Sequence, residues 1–231
     1  MNAFRGLWQR AQRHSFVRGR LTRRRLDAFM ATQATDARAL IIHSRDIDYR
    51  RHFPNAKRIS SKPDPTDEPA DPHYRILAEL PPESEGLIIC TGLLEHLPDP
   101  GLSVAQMARI LRSGGRLVLS ASAVFSFHGG RENYFHFTPA GLERILGEDL
   151  QVIELRGSTG PFETLGVLAQ RVALQCDVFP PVRPFLDLLT VTLPLLDRTV
   201  SRQYDKMAKL DPVDPAVGIM PATLIVVAEK V

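Results

Sequence analysis

Short apolar runs separated by a helical pattern constrain the fold of this chain most. Ala39–Ile42, Leu87–Cys90 and Arg116–Ser120 are short and rich in Leu, Ile and Val, as are strands that are buried on both faces. Between the last two, Leu102–Leu111 carries apolar residues at i, i+3, i+4 and i+7, the spacing of one face of a helix. Strands that alternate with helices predict an α/β fold with a mostly parallel sheet.

The second half of the chain continues this alternation. Pro139–Leu146 is predicted to be a helix, with Thr138 as its N-cap and proline at the first helical position. Val152–Leu155 and Thr223–Val227 are predicted strands, and a helical insertion is expected at about 180–212, before the last strand.

Residues 54–82 contain seven prolines. Proline interrupts helices and cannot donate a hydrogen bond in a central strand, so this stretch is predicted to be mostly loop. A short strand is expected at Ala56–Ser60.

The composition is that of a globular protein. The 231 residues are 44% hydrophobic and 24% charged, with a net charge of +3, which excludes a disordered chain, a collagen and a disulfide scaffold. Cys90 and Cys176 share no motif and are expected to be reduced thiols. With no signal-peptide core and no apolar stretch of membrane-spanning length, a cytoplasmic location is predicted. Aromatic residues make up 7% and do not interleave with the basic ones, so no nucleic-acid partner is expected.

The start of the chain is strongly basic. Residues 1–26 contain eight arginines and no acid, and Phe4, Leu7, Trp8 and Ala11 lie at the spacing of one helix face. We therefore divide the chain into a basic helical extension, 1–30, and a domain, 31–231. The extension is expected to pack on the domain as a cap. The alternatives are a weak contact of residues 1–26 with an anionic membrane surface, covering of a ligand cleft, and binding of a phosphate-bearing substrate. An Arg-rich start without acids also resembles an organellar transit peptide.

Three motifs in the middle of the chain resemble one enzyme family. Cys90–Pro100 reads Cys-Thr-Gly-Leu-Leu-Glu-His-Leu-Pro-Asp-Pro, and Leu111–Gly115 closes the next helix as Leu-Arg-Ser-Gly-Gly. Phe127–Gly130 and Tyr134–Leu142 form a third patch, with Phe-His-Gly-Gly and Tyr-Phe-His-Phe-Thr-Pro. Together these motifs resemble the type 11 methyltransferase domain of class I S-adenosylmethionine-dependent methyltransferases, over roughly residues 37–155.

The resemblance implies a fold and a reaction. It implies a single three-layer Rossmann-like domain with a mostly parallel seven-stranded sheet. It also implies methyl transfer from S-adenosylmethionine to a small-molecule, glycan or lipid acceptor, with donor and acceptor held in line. In such open sheets a ligand lies beyond the carboxyl ends of the strands, at the switch point of strand order.

The segment that should hold the donor departs from the family pattern. The family's two glycines fall on His43 and Arg45, and no glycine occurs between Ala31 and Glu85. Bulky side chains then project where bare backbone should approach the methionyl part of the donor. Two interpretations follow. Either a modified loop binds the donor, or the scaffold has lost the donor and serves as a binding or regulatory partner.

The resemblance places candidate residues on both sides of the site. Arg45 would hold the methionine carboxylate in the first interpretation, and Asp64 or Glu79 the ribose, since the family's ribose acid falls on Lys62. The donor-binding candidates are His43, Ser44, Arg45, Asp64, Glu79, Thr91 and Leu94.

The candidate catalytic residues are His128, Tyr134 and His136, which follow a predicted strand. Imidazole suits a general base for a hydroxyl acceptor near neutral pH. A metal site is not predicted, because no second ligand lies at i+4 on a helix and no acid is paired at a diagnostic spacing. Glu95 is expected to be a surface or helix-start charge. His96 is expected to cap or pack against the helix that begins near Pro98–Pro100.

Overall fold

The computed structural model describes residues 20–43, 49–59, 72–128, 132–206, 209 and 211–231, with the main chain alone for 43 and 72–75. Its strands are β1 (Leu40–His43), β2 (Lys57–Ile59), β3 (Glu85–Thr91), β4 (Leu111–Ser122), β5 (Leu150–Gly157) and β6 (Thr223–Lys230). Its helices are α1 (Leu21–Thr32), α2 (Pro72–Glu79), α3 (Pro100–Ile110), α4 (Pro139–Leu146), α5 (Pro161–Gln175) and α6 (Arg183–Thr192). Two 3-10 helices lie at Leu94–His96 and Leu193–Thr199.

The strands form one sheet in the order β2-β1-β3-β4-β6-β5. The pairs β1–β2, β1–β3 and β3–β4 are parallel, and β6 runs antiparallel between β4 and β5. This confirms the predicted α/β fold with a mostly parallel sheet. The sheet has six strands in the described residues and not the seven that were expected. Between β2 and β3 lies a proline-rich segment, and proline cannot donate to a strand ladder.

Successive strand residues pack into two different core clusters. In β1, Leu40 and Ile42 belong to one cluster and Ile41 to the other, and β3, β4 and β6 alternate in the same way. The first cluster includes side chains from α2, α3 and α4, and the second includes Phe29 and Met30 from α1. Because both faces of the sheet are covered, the domain has the three layers that were predicted.

Helix α2 lies in the stretch that was predicted to be mostly loop. It begins with Pro72 at its first position, where a proline is tolerated because the N–H would be unpaired anyway. Its last turn is held by Arg109, whose guanidinium donates to the carbonyl oxygens of Leu77 and Leu80, each at 2.9 Å. The expected strand at Ala56–Ser60 is confirmed as β2.

Helix α1 packs on the domain. Phe29 and Met30 are buried, and Arg25 forms an ion pair with Glu163 at the start of α5. Asp27 accepts hydrogen bonds from Arg51 and His52. Burial raises the pKa of Asp27, but the hydrogen bonds and the electrostatic attraction of Arg51 and His52 together outweigh it, and the pKa lies below its usual value. Residues 20–30, the described part of the predicted extension, thus contact the rest of the domain.

The segment between α5 and β6 contains α6 and the second 3-10 helix. The Asp197 carboxylate accepts hydrogen bonds from the main-chain N–H groups of Phe162 (3.1 Å) and Glu163 (2.5 Å), and so caps the start of α5 from a distant position. Helix α5 itself was not predicted, because its sequence was left unassigned. Among the described residues, no helix is long and apolar enough to span a bilayer.

Candidate functional site

The strand order changes direction at β1. From β1 the chain crosses to β2 on one side, and then returns to β3 on the other side. His43 and Thr91, the last residues of β1 and β3, are register partners in the sheet. The crevice beyond these carboxyl ends is the place where ligands bind in open α/β sheets.

A cavity of about 120 Å³ lies beyond the carboxyl ends of β3 and β4. Thr91, Gly92 and Ser122 form its floor, and Glu95, His96 and His128 line it. Gly92 has φ +56°, the left-handed region that glycine adopts without strain, and it turns the chain from β3 toward Glu95.

Three arginines line the same cavity. Arg20 and Arg23 come from the start of α1, and Arg171 comes from α5. The Arg171 guanidinium donates from Nε to Ser126 Oγ (2.7 Å), and it lies 4.9 Å from the centre of the Phe125 ring. The cavity therefore combines one carboxylate with several positive charges.

Glu95 is buried, although it was expected on the surface or as a helix-start charge. It is 3% exposed, and its Oε1 accepts a hydrogen bond from Ser122 Oγ at 2.7 Å. Its Oε2 is buried without a hydrogen bond in the described structure. The main-chain oxygen of Glu95 accepts from the N–H groups of Tyr134 and Phe135, which fastens the following loop over the strand ends.

His96 does not cap helix α3. Asp99 does, since its carboxylate accepts from Leu102 N at 3.1 Å. The His96 ring lines the cavity, and its Nδ1 lies 2.5 Å from Glu132 O. His128 lies beside it, with the two ring centres 4.9 Å apart and nearly perpendicular.

His128 is oriented by its own loop. Its main-chain N–H donates to Asn133 Oδ1 (3.0 Å), and its Nδ1 lies 3.1 Å from Ser126 O. A carbonyl oxygen only accepts, so Nδ1 carries the proton and Nε2 carries the lone pair in the neutral ring. The same reasoning applies to His96.

The other two predicted catalytic residues lie apart from this cavity. Neither Tyr134 nor His136 lines it. Tyr134 is 47% exposed, and the His136 ring packs 5.8 Å from the Phe127 ring, centre to centre. Of the three, the structure brings only His128 together with Glu95 and His96.

The predicted donor-binding residues are spread more widely. Thr91 lies on the cavity floor, but Leu94 is fully buried in the core. Glu79 is the last residue of α2. The next residue, Leu80, accepts a hydrogen bond from Arg109, which lies just before the first residue of β4. Glu79 therefore lies at the amino edge of the sheet, opposite the cavity. The main chain of His43 ends β1 beside Thr91. Ser44, Arg45 and Asp64 lie outside the described residues.

Tyr49 is a buried residue that the sequence reasoning did not assign to the site. It is 2% exposed, and its hydroxyl lies 3.5 Å from Thr91 Oγ1, at the outer limit for a hydrogen bond. Burial raises the pKa of Tyr49 to about 12, against the smaller lowering effect of Thr91.

This pKa predicts a loss of stability in alkali. The folded protein keeps Tyr49 protonated up to about pH 12, whereas the unfolded chain ionises from pH 10. The stabilisation is therefore complete below pH 10 and is lost as the pH rises toward 12. Between pH 9 and pH 11 the loss at this residue should be about 1.4 kcal/mol. Denaturant unfolding at both pH values should show this change in wild type but not in Tyr49→Phe. Tyr134→Phe, at an exposed tyrosine, is the control, and an equal loss in Tyr49→Phe would contradict the assignment.

A larger cavity, of about 360 Å³, lies beyond β5. It is lined by Arg25, Arg156, Ser158 and Glu163 among others, and Arg25 and Glu163 form an ion pair. Because β5 is the edge strand farthest from the β1–β3 switch point, we take the smaller cavity as the candidate functional site.

Comparison with known proteins agrees with this architecture. Residues 68–119 match the family model described as a methyltransferase domain, a range that holds β3, α3 and most of β4. The sequence has no match among the curated proteins.

Three solved structures are similar to this chain at low sequence identity, and the first of them has a TM-score above 0.5. The chain that is in complex with the Haloferax volcanii Trm112 methyltransferase activator is 12% identical, with a TM-score of 0.53, and the alignment covers 97% of this chain and 96% of that one. A Bacillus halodurans C-125 protein, named provisionally as a methyltransferase, is 14% identical with a TM-score of 0.47, over 88% of this chain and 98% of that one. Haemonchus contortus phosphoethanolamine N-methyltransferase 2, in complex with S-adenosyl-L-methionine, is 10% identical with a TM-score of 0.46, over 89% of this chain and 52% of that one. The family-model match and the fold shared with the Haloferax volcanii chain confirm the resemblance to class I S-adenosylmethionine-dependent methyltransferases.

Proposed function

We propose that this protein transfers a methyl group from S-adenosylmethionine to a small-molecule acceptor, in the cytoplasm. The observation that carries the proposal is the cavity at the carboxyl ends of β3 and β4, next to the switch point, in a chain with the methyltransferase fold. More specifically, we propose that the acceptor is a glycan or a lipid. If the acceptor is a lipid, the proposal includes contact of residues 1–26 with a membrane surface.

Thr91 and Gly92 at this edge fit the donor. Gly92 already has the left-handed turn that brings backbone close to a ligand. Thr91 and Gly92 would therefore line the donor side, with Arg45 as the proposed partner of the methionine carboxylate. S-adenosylmethionine, when bound, supplies a methyl group activated by the sulfonium.

The acceptor side is assigned to His128 and its surroundings. His128 Nε2 holds a lone pair in the neutral ring and is the group placed to accept a proton from a hydroxyl or amine. The Ser126 carbonyl accepts from His128 Nδ1 and so fixes the tautomer of the ring. Arg171 Nε in turn donates to Ser126 Oγ. The three arginines would hold an acceptor that carries an acidic group.

Calorimetric titration with S-adenosylmethionine and S-adenosylhomocysteine tests the proposal. We expect binding by wild type, and a ligand at about 100 times its Kd should stabilise the fold by about 2.7 kcal/mol. Arg45→Ala should weaken binding. Arg38→Ala is the matched control, because Arg38 pairs with Glu85 at the start of β3, on the opposite edge of the sheet.

Absence of binding at millimolar donor would contradict the enzymatic proposal. It would favour the second function, that of a binding or regulatory protein on the same scaffold. The observation behind that alternative is the absence of glycine from 31 to 85, where the donor loop should lie. The sheet and its core would be unaffected by this outcome.

A further inference from the structure

We propose that Glu95, His96 and His128 form a binding site for one divalent transition-metal ion, with Zn²⁺ as the reference ion. Each of the three side chains offers one ligand atom, and these atoms all lie within 4.8 Å of one another. Among the described residues, the three come from two separate segments, the turn after β3 and the loop after β4, that meet only in the folded chain. We call this group the Glu-His-His cluster.

The chemistry of the cluster suits such an ion. Two imidazoles and one carboxylate are the ligands of a catalytic zinc centre, which keeps a fourth position open for water or substrate. Bonds of about 2.0–2.1 Å in a tetrahedral site place neighbouring ligand atoms about 3.3 Å apart. To reach this geometry, the ligand atoms would have to move closer together by at most about 1.5 Å. The half-buried His96 and His128 rings are the groups that would move.

The surroundings of the cluster resemble the outer shell of a metal site. Each imidazole directs Nδ1 at a main-chain carbonyl, His96 at Glu132 O and His128 at Ser126 O. These contacts fix the tautomer with the lone pair on Nε2, as the outer partners of metal-bound histidines do. Ser122 Oγ holds the third ligand by donating to Glu95 Oε1.

The buried carboxylate of Glu95 gives an independent indication of a cation. Its Oε2 is buried and has no hydrogen bond in the described structure, while Oε1 is paired. An ionised oxygen without a partner is unfavourable away from water. A metal ion bound between Glu95 and the two rings would satisfy it.

The arginines of the cavity set a condition on this site. Arg20, Arg23 and Arg171 oppose a bare cation, but they favour an anion on its open coordination position. An acceptor hydroxyl bound there would lose its proton to solvent more readily, because a metal lowers the pKa of a bound oxygen acid. Metal binding itself does not depend on the proposed methyl transfer, since it requires neither donor nor acceptor.

The experiment is a titration of chelator-treated protein with Zn²⁺ by calorimetry, and with Co²⁺ by visible absorption. We expect one site per chain, at micromolar or lower Kd, with the absorption of a four- or five-coordinate Co²⁺ ion. Glu95→Gln and His128→Ala should each weaken binding by about 100-fold or more, and Ser122→Ala by about tenfold. Arg23→Gln should strengthen Zn²⁺ binding, because it removes an opposing charge.

His136→Ala is the matched control, because His136 lies in the same loop after β4 but outside the Glu-His-His cluster. It should bind as wild type does, and thermal melts should show that every variant tested is folded. A wild-type Kd above the micromolar range would overturn the proposal without any variant. Equal binding by wild type, Glu95→Gln and His128→Ala would overturn it as well, because the ion would then lie elsewhere, for example on the exposed Cys176. If Zn²⁺ binds here but S-adenosylmethionine does not, the metal site stands and the proposed methyl transfer fails.

Discussion

His128→Ala should lower the rate of methyl transfer by about 10²–10⁴-fold, the usual contribution of a positioned acid–base group. The ring is one of the groups that line the cavity beyond β4, and its tautomer is fixed by the Ser126 carbonyl. The loss is expected whether His128 accepts the proton itself or holds an ion that activates the acceptor. The readout is S-adenosylhomocysteine formed from S-adenosylmethionine in the presence of a small-molecule metabolite extract.

Donor binding should separate this role from a structural one. We expect His128→Ala to bind S-adenosylhomocysteine as wild type does, because His128 lies on the acceptor side. The main-chain bond from His128 N to Asn133 Oδ1 remains in this variant and should keep the loop in place. His136→Ala is the control, with a change of less than about threefold. If His128→Ala kept the wild-type rate and His136→Ala lost it, the assignment would be wrong and His136 would be the base.

The strands of this fold could be predicted from the sequence because their signal is local. Buried parallel strands appear as short runs of Leu, Ile and Val, and β1, β3 and β4 all contain such runs. The N-cap role of Thr138 could be predicted in the same way, and the structure confirms it, because Thr138 Oγ1 accepts a hydrogen bond from Gly141 N at 3.1 Å. These features depend on residues that are neighbours in the chain.

The candidate site could be predicted only in part, because its contacts are not local. Glu95 was interpreted as a surface charge, since nothing nearby in the sequence indicates that Ser122 pairs with it. His96 and His128 are 32 positions apart, so no ligand spacing could reveal the cluster. A polar pair in the turn after a predicted strand at the switch point, here Glu95 and His96, was the one available signal.

Helix α2 shows the same limit for secondary structure, and it leads to a strong prediction about stability. Proline density predicted a loop, but the last turn of the helix is held by Arg109, about thirty residues later in the chain. Its Nη2 donates to Leu77 O and Leu80 O at 2.9 Å, and its Nε donates to Gln106 Oε1 at 2.7 Å. The free carbonyls at a helix end need partners, and a cation also interacts favourably with the helix dipole.

Arg109→Ala should therefore lower the free energy of unfolding by about 2–3 kcal/mol, since hydrogen bonds to charged groups contribute about 1.5–3 kcal/mol and this one is partly exposed. Arg109→Lys should recover only part of the loss, because a single ammonium cannot replace the planar guanidinium fork. Denaturant unfolding gives the measurement, and Arg144→Ala, at an exposed position near the end of α4, is the control. Hydrogen exchange should show the loss first in α2, because Leu77 is its fully buried attachment to the core. Equal unfolding midpoints for Arg109→Ala and Arg144→Ala would mean that α2 is held by its core contacts alone, and that the guanidinium adds nothing to them.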